Sequence, residues 1–438
     1  MEILNEIIAK VDAMKDDLIK QRRDIHRHPE TGWTEFRTAS LVAEKLSSYG
    51  YEVLVGEKAV KKDAMMGLPS DEALRNAQKR AVSEGANPDL VEKMTGGLTG
   101  VVGIFHFAKP GPVVALRCDM DCNDVTETSD EKHFPNQQGF SSTHEKEMHA
   151  CGHDGHTTVG LAVAKILSEM KDELAGTFKI IFQPAEEGVR GAHAMAENGV
   201  VDDVDYLLGA HFGFKMKHTG DIACDVTGFL ATTKFDATFT GKPAHAGAAP
   251  EEGRNALLAA ACAALNLHAI PRHSAGVSRI NVGKLIAGSG RNVVGDKALI
   301  QLETRGSTTE INKFMEDEAA RILNAAAAMY GVDVEIKKVG GAAGGSNSPE
   351  LAAFLKDKAK EIGIFKNIVG ECDFGASEDF SYFMEKVQSH GGQAAYMMVG
   401  AELAAGHHDS HFNFDETALA HSAKMMCYSL SQLLTSKK

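Results

Sequence analysis

The sequence predicts an α/β protein, a mixed sheet flanked by helices, with a smaller α+β domain inserted between its strands. Three observations predict it. Short apolar runs at 112–116, 177–182 and 205–211 alternate with segments of helical periodicity, the pattern of strands and helices packed in layers. Each run leads into Asp, Glu or His, and in open α/β sheets the chemistry gathers at the carboxyl ends of strands. Near residue 228 the pattern changes to strands and helices in the order β-α-β-β-α-β, that of a ferredoxin-like split βαβ unit.

Residues 3–28 place Leu4, Ile7, Ile8, Val11, Met14, Leu18 and Ile25 on one stripe of a single helix, ended by Pro29 and Gly32. A helix over 34–48 and a strand over 51–55 follow. Residues 57–95 are polar and helix-leaning, and they interrupt what would otherwise be a hairpin closed by a strand at 100–107. A long insertion beside a catalytic sheet either bears on function or decorates the surface. The strand 112–116 runs into Arg117-Cys118-Asp119-Met120-Asp121. A helix over 157–170 precedes the strand 177–182, which leads to Glu186 and Glu187. The strand 205–211 ends in His211. In the inserted domain, 228–340, alternation over 232–240 marks the first strand. A helix (255–270), strands at 278–286 and 298–305, a helix (309–330) and a strand at 332–339 complete it. The glycine-rich 340–349 is the return hinge, so 1–227 and 341–438 make the main domain.

A length of 438 residues exceeds one ordinary core and agrees with two or three domains. A net charge of −14 argues against a nucleic-acid or anionic-membrane partner. No apolar run approaches the ~20 residues of a membrane helix, and residues 1–20 lack the apolar core of a signal peptide. Seven scattered cysteines without a CxxC pair suit a reducing compartment. A cytoplasmic enzyme is the expected class.

The chemistry is densest in Met148-His149-Ala150-Cys151-Gly152-His153-Asp154-Gly155-His156. A thiolate with imidazoles suits zinc and other borderline transition metals, but this segment does not close a site. Glu186 and Glu187 are adjacent carboxylates. A bound cation relieves their repulsion while one of them keeps the pKa of a working base. His211 stands at a strand end. Asp119 and Asp121 alternate and so face one side, as ligands or as groups that orient ligands. The pair His407-His408 either delivers a ligand from a loop or is simply exposed. Arginine matches a carboxylate with its donor fork; Arg305 ends a strand, and Arg291 stands beside Asn292 after a glycine loop. His245 lies at the turn after the inserted domain's first strand. No GxGxxG follows a strand with an acidic residue ~20 positions on, so the glycine clusters are not a dinucleotide site.

The motifs RRDIHRHPETGWTEFRT (22–38), ALRCDMD (115–121), MHACGHDGHT (148–157), FQPAEEG (182–188), GKPAHAG (241–247), GSGRNVV (288–294), GASEDFSYF (375–383) and GHHDSHFNFDE (406–416) run in one order over nearly the whole chain. In them the chain resembles the M20 metallopeptidase family, in the amidohydrolase subgroup that includes hippurate and auxin-conjugate hydrolases. The resemblance implies a phosphorylase/hydrolase-like main domain and a lid or dimerisation role for the inserted ferredoxin-like domain. It implies two divalent metal ions (Mn or Zn, with Co or Ni also suited) held by Cys151, His153, Glu187, His211 and His408. His408 is preferred to His407 for its spacing to Phe412. Glu186 would be general base and acid, and Asp121 the aspartate beside the metals. His245, Asn292, Arg305 and neighbouring Arg291 would bind substrate, a small N-acyl amino acid. A homodimer through the lid, or a heterodimer with a homologous subunit, is implied. The 57–95 insertion, MMGLP (65–69) and residues 231–260 are similar to the branch that cleaves p-aminobenzoyl-glutamate to p-aminobenzoate and glutamate. Hydrolysis of hippurate or indoleacetyl amino acids is the alternative. A non-catalytic partner subunit is the reading from another class, and the presence of Glu186 and every ligand counts against it.

Overall fold

The computed structural model describes residues 2–435, in two compact units. One runs to Thr227 and resumes over Ser346–Phe374 and from Tyr382; the other comprises Gly228–Gly345 and Gly375–Ser381. The described strands are β1 (Glu52–Val55), β2 (Val101–His106), β3 (Lys109–Asp119), β4 (Ala175–Gln183), β5 (Tyr206–Phe212), β6 (Asp221–Thr227), β7 (Ala231–Thr240), β8 (Ser278–Ala287), β9 (Lys297–Gly306), β10 (Asp333–Ala342), β11 (Asn367–Asp373) and β12 (Gln393–Val399).

The first unit holds a mixed eight-stranded sheet in the order β1-β2-β4-β3-β5-β12-β6-β11. Its central strands carry near-continuous apolar runs, 113–116 in β3 and 394–399 in β12, because both faces are covered. The helices His153–Glu169 and Thr417–Thr435 pack on each other and on β3. Leu116, Phe178, Phe182, Leu208 and Phe212 share that core, each contributing roughly 1.5–3 kcal/mol by burial. A Cβ at Gly160 would stand 2.7 Å from Cys118 Sγ, so glycine lets the helix close on β3. β1 and β2 form the expected antiparallel pair, Glu52 opposite Ile104 and Val55 opposite Val101. The insertion between them folds into the helices Asp71–Ser83 and Pro88–Lys93. No described helix is long and apolar enough to cross a membrane.

Several sequence expectations need correction. The single helix over 3–28 is two, Glu2–Ala13 and Lys15–Arg27. Met14 N bonds to Val11 O at 3.0 Å, one tightened turn that lets both halves keep their apolar faces inward. The helix expected from 157 starts at His153, because Gly152 adopts φ 96° as its cap. β6, β11 and β12 were not anticipated, although the buried run QAAYMMV of β12 is the signature of a central strand.

The second unit is an antiparallel sheet, β10-β7-β9-β8. The helices Ala256–Leu267 and Thr309–Tyr330 bury Ala263 and Leu323 with Phe235, Phe239 and Ile300. The unit ends at Gly345 rather than 340, and it takes in 375–381, which the sequence pattern groups with the main domain. The cause is that residues 340–342 of the supposed hinge continue β10, where Gly340 pairs with Lys234 and Ala342 with Thr232.

Candidate metal centre

β4, β3, β5 and β12 lie side by side and run parallel. Their carboxyl ends therefore open on one edge of the sheet, where each strand passes into a loop. β3 ends at Asp119 and leads to Asp121, and β4 leads to Glu186 and Glu187. β5 carries His211, and the chain after β12 supplies His408. Cys151 and His153 arrive from the loop and first turn of the helix His153–Glu169.

Ligand-type atoms of Cys151, Glu187 and His408 lie within 4.8 Å of one another, and so do those of His153, Glu186 and Glu187. Cys151 Sγ stands 3.4 Å from His211 Nε2, and His408 Nε2 stands 3.3 Å from Glu187 Oε1. His153 Nε2 is 3.8 Å from Glu186 Oε2. The fold thus gathers all five residues expected to hold metal, with Glu186 beside them.

The residues fit a cation. His153 Nε2 is buried without a hydrogen-bond partner; such an atom costs about 1–3 kcal/mol unless something coordinates it. His153 Nδ1 lies 2.9 Å from the Asp121 carbonyl, and His211 Nδ1 lies 2.8 Å from the Phe212 carbonyl. A carbonyl only accepts, so each ring carries its proton on Nδ1 and offers an Nε2 lone pair. Burial and the Glu187 and Glu186 carboxylates hold the Cys151 thiol well above its usual range. Burial disfavours charge on His153, but Asp119 and Asp121 outweigh it and raise the ring to about 10. A dication inverts this balance, displacing the thiol proton and taking the imidazole lone pair. Thiolate, imidazole and carboxylate donors together suit divalent transition metals.

Around these residues lies a supporting layer. Asp121 holds the loop after β4, accepting from Glu186 N at 3.0 Å and Glu187 N at 2.8 Å. Asp119 accepts instead from His156 Nδ1 at 2.6 Å and Arg117 Nη1 at 2.5 Å. His156 in turn accepts from Phe212 N and packs edge-on to His211, with ring centroids 4.6 Å apart. Buried Glu35 accepts from Ala185 N at 2.8 Å and from Thr99 Oγ1 at 2.6 Å. Asn123 Oδ1 accepts from Ala150 N, next to Cys151. Sequence reasoning gave His156, Glu35 and Asn123 no role. Each sits in or beside a quoted motif, but nothing in one sequence pairs them with their partners. His407 also lies within 4.8 Å of Cys151 and His211. Its ring is committed elsewhere, stacked 4.0 Å from Phe214 with Nε2 on the Phe212 carbonyl.

In the second unit, Ala246 N donates to Asn292 O at 3.0 Å and His245 pairs with Val293, so His245 and Asn292 sit on neighbouring turns. Exposed His245 accepts at Nδ1 from Gly247 N and Ala248 N, which leaves its Nε2–H to donate outward. Arg305, on β9, is engaged by Glu303 at 2.9 and 3.2 Å and would have to exchange that partner for a substrate carboxylate. Arg291 is exposed.

Residues 115–432 match the model of peptidase family M20/M25/M40. The chain is 47% identical over 421 residues to the indole-3-acetyl-aspartic acid hydrolase of Enterobacter agglomerans, covering 96% of each protein. Identity and coverage are the same with a subunit of the p-aminobenzoyl-glutamate hydrolase of Escherichia coli (strain K12). The fold matches the crystal structure of an aminobenzoyl-glutamate utilization protein from Klebsiella pneumoniae with a TM-score of 0.84 and 39% identity, over 96% of this chain and 97% of that one. A family match over most of the chain, on a sheet whose parallel strands end in clustered Cys, His and Glu, has one conclusion: the chain belongs to peptidase family M20/M25/M40, as a metal-dependent amidohydrolase.

Proposed function

We propose that this chain hydrolyses the amide bond between an aromatic acyl group and an acidic amino acid, with p-aminobenzoyl-glutamate, cleaved to p-aminobenzoate and glutamate, as the favoured substrate. Two relatives of equal identity are named for p-aminobenzoyl-glutamate and indole-3-acetyl-aspartic acid; both compounds join an aromatic acyl group to a dicarboxylic amino acid. A further relative, 43% identical, and the matched crystal structure are also named for aminobenzoyl-glutamate, which inclines the choice to the first.

The observation that carries the reading is the division of labour open to two adjacent carboxylates. Glu187 groups with Cys151 and His408, while Glu186 stands 3.8 Å from His153 Nε2. Two divalent cations, Mn or Zn with Co or Ni also suited, would be held by Cys151, His153, Glu187, His211 and His408 and supply the Lewis acidity that activates water and polarises the amide carbonyl. Glu186 accepts the water's proton and returns it to the leaving amine nitrogen. Asp121 keeps Glu186 and Glu187 in register through their amides. His245 donates its Nε2–H to the carbonyl oxygen as that oxygen gains charge. Asn292, Arg291 and Arg305 take the carboxylates of the amino-acid half.

The second unit serves as lid and dimerisation domain. Its edge strand β8 exposes Leu285 and Ile286, and its helix Ala256–Leu267 exposes Leu257, Leu258 and Leu265. An apolar surface of this kind suits a second copy or a homologous partner chain. One relative is named as one subunit of its hydrolase, and another as the homolog of that subunit. Free, mostly buried cysteines favour a cytoplasmic location.

Glu186→Gln tests the centre: metal content stays at the parent level while kcat falls about 10²- to 10⁴-fold. Near-normal turnover would sink the assignment of the base. Rates on p-aminobenzoyl-glutamate, indoleacetyl-aspartate and hippurate test the substrate class; a preference for hippurate, which ends in glycine, would overturn the acidic amino-acid half.

A further inference from the structure

The 57–95 insertion grips the protein at two places, and each leads to a loop bearing a candidate ligand. At the first, consecutive carbonyls of the insertion accept from two side chains. Met66 O takes Trp33 Nε1–H at 2.8 Å, and Gly67 O takes Arg190 Nη1–H at 3.0 Å. Arg190 also donates from Nε to the carbonyl of Glu187 at 3.0 Å. One guanidinium therefore joins the insertion to the main chain of the residue read as a metal ligand. Its seat is built for it: a Cβ at Gly32 would lie 2.4 Å from Arg190 Nη2, so only glycine leaves room. The loop it steadies is one that ordinary residues hold unwillingly, with Ala185, Gly188 and Val189 all at positive φ (51°, 88° and 58°). Trp33, fully buried, gives its backbone N–H to the same Glu35 oxygen that accepts Ala185 N. Lys61 N bonds Ala194 O at 3.0 Å, extending the contact beyond Arg190.

At the second place, Arg80 of the insertion pairs with Glu147 at 2.8 Å, and Glu84 accepts from His144 Nε2 at 2.7 Å. Those partners belong to the segment that runs through Met148 into Cys151.

We propose that the 57–95 insertion braces both ligand-bearing loops and that Arg190 is the positioning residue through which it holds Glu187. Arg190 acts through the Glu187 main chain and fixes where that carboxylate and its neighbour Glu186 stand. The inference rests on Glu187 as ligand and Glu186 as base.

The test uses full-length protein carrying Arg190→Ala, Arg190→Lys or Trp33→Phe. It measures Zn²⁺ and Mn²⁺ affinity by chelator competition, kcat and KM on p-aminobenzoyl-glutamate, and melting of the metal-free form. Arg190→Ala is expected to weaken metal binding about 10- to 100-fold, as loss of a group orienting a ligand does. Its kcat falls while KM stays within about twofold, and added guanidinium ion restores part of kcat. Arg190→Lys keeps the charge but not the fork and falls between. Trp33→Phe removes the donor to Met66 O together with part of a buried ring, and moves metal affinity in the same direction by less. Unchanged metal affinity and kcat in Arg190→Ala would overturn the proposal. So would losses that follow a drop in melting temperature and resist guanidinium. If Arg190→Ala does not fold, Arg190→Lys decides by the same criteria. An active Glu186→Gln would remove the base assignment and leave the effect of Arg190 on metal affinity readable.

Discussion

Glu186 and Glu187 are neighbours in the chain and both reach His153, yet of the two it is Glu187 that also groups with Cys151 and His408. One backbone turn, pinned at both amides by Asp121, places Glu187 between His153 and the pair Cys151 and His408, with Glu186 on the His153 side. Asp121→Asn replaces one accepting oxygen with an NH2 that faces an amide N–H. It is expected to lower kcat and metal affinity by about 10- to 100-fold, as loss of an orienting group does; titration with a metal indicator and steady-state kinetics check it. Cys151 and His153 were legible because their donors crowd one short segment. Glu35 was not, because a buried carboxyl raised by burial and by Asp121 looks in sequence like any other glutamate.

At the scale of elements, the insertion's second anchor is pH-dependent. Burial disfavours charge on His144, yet hydrogen bonds to Glu147 and Glu84 outweigh it and raise the ring above its usual 6.5, against the opposing charge of Arg80. A raised histidine value means the contact contributes fully below the unfolded value and is lost as pH rises through the folded one. Hydrogen exchange in the helix Asp71–Ser83, corrected for its intrinsic rate, should therefore quicken as pH rises above the usual histidine range. His144→Gln should remove that dependence; an unaltered slope would show that the anchor does not govern the helix. Element boundaries were the least legible part. Periodicity located the first helical stripe but not the turn at Met14, because both halves present the same face to the core.

For the whole molecule, metal held at the proposed centre would couple binding to folding. A ligand that binds only the native state stabilises by about 2.7 kcal/mol at a hundred times its Kd. Chelation is therefore expected to abolish hydrolysis and lower the melting temperature, with both restored by Zn²⁺ or Mn²⁺. Activity that survives exhaustive chelation would contradict the centre. Solution mass should exceed that of the 46.9 kDa chain if the exposed apolar residues of β8 and the helix Ala256–Leu267 are covered by another chain. A charged residue at Leu265, 78% exposed, should then return the mass to that of a monomer without changing melting of the second unit.

By itself the sequence determined the α/β class, the β-α-β-β-α-β order of the second unit, and a shortlist of Cys151, His153, Glu186, Glu187, His211 and His408. Apolar period, strand-end placement and donor chemistry within a few residues are local properties; the choice of His408 over His407 and the separate roles of Glu186 and Glu187 came from the family resemblance. Tertiary structure alone decided that β4, β3, β5 and β12 stand adjacent, so that residues up to 257 positions apart, Cys151 and His408, share one cluster. It also decided that Asp119 serves His156 while Asp121 serves the loop after β4, and that Arg190 ties the insertion to Glu187. Those choices rest on hydrogen bonds between segments distant in the chain, and no periodicity or spacing encodes them.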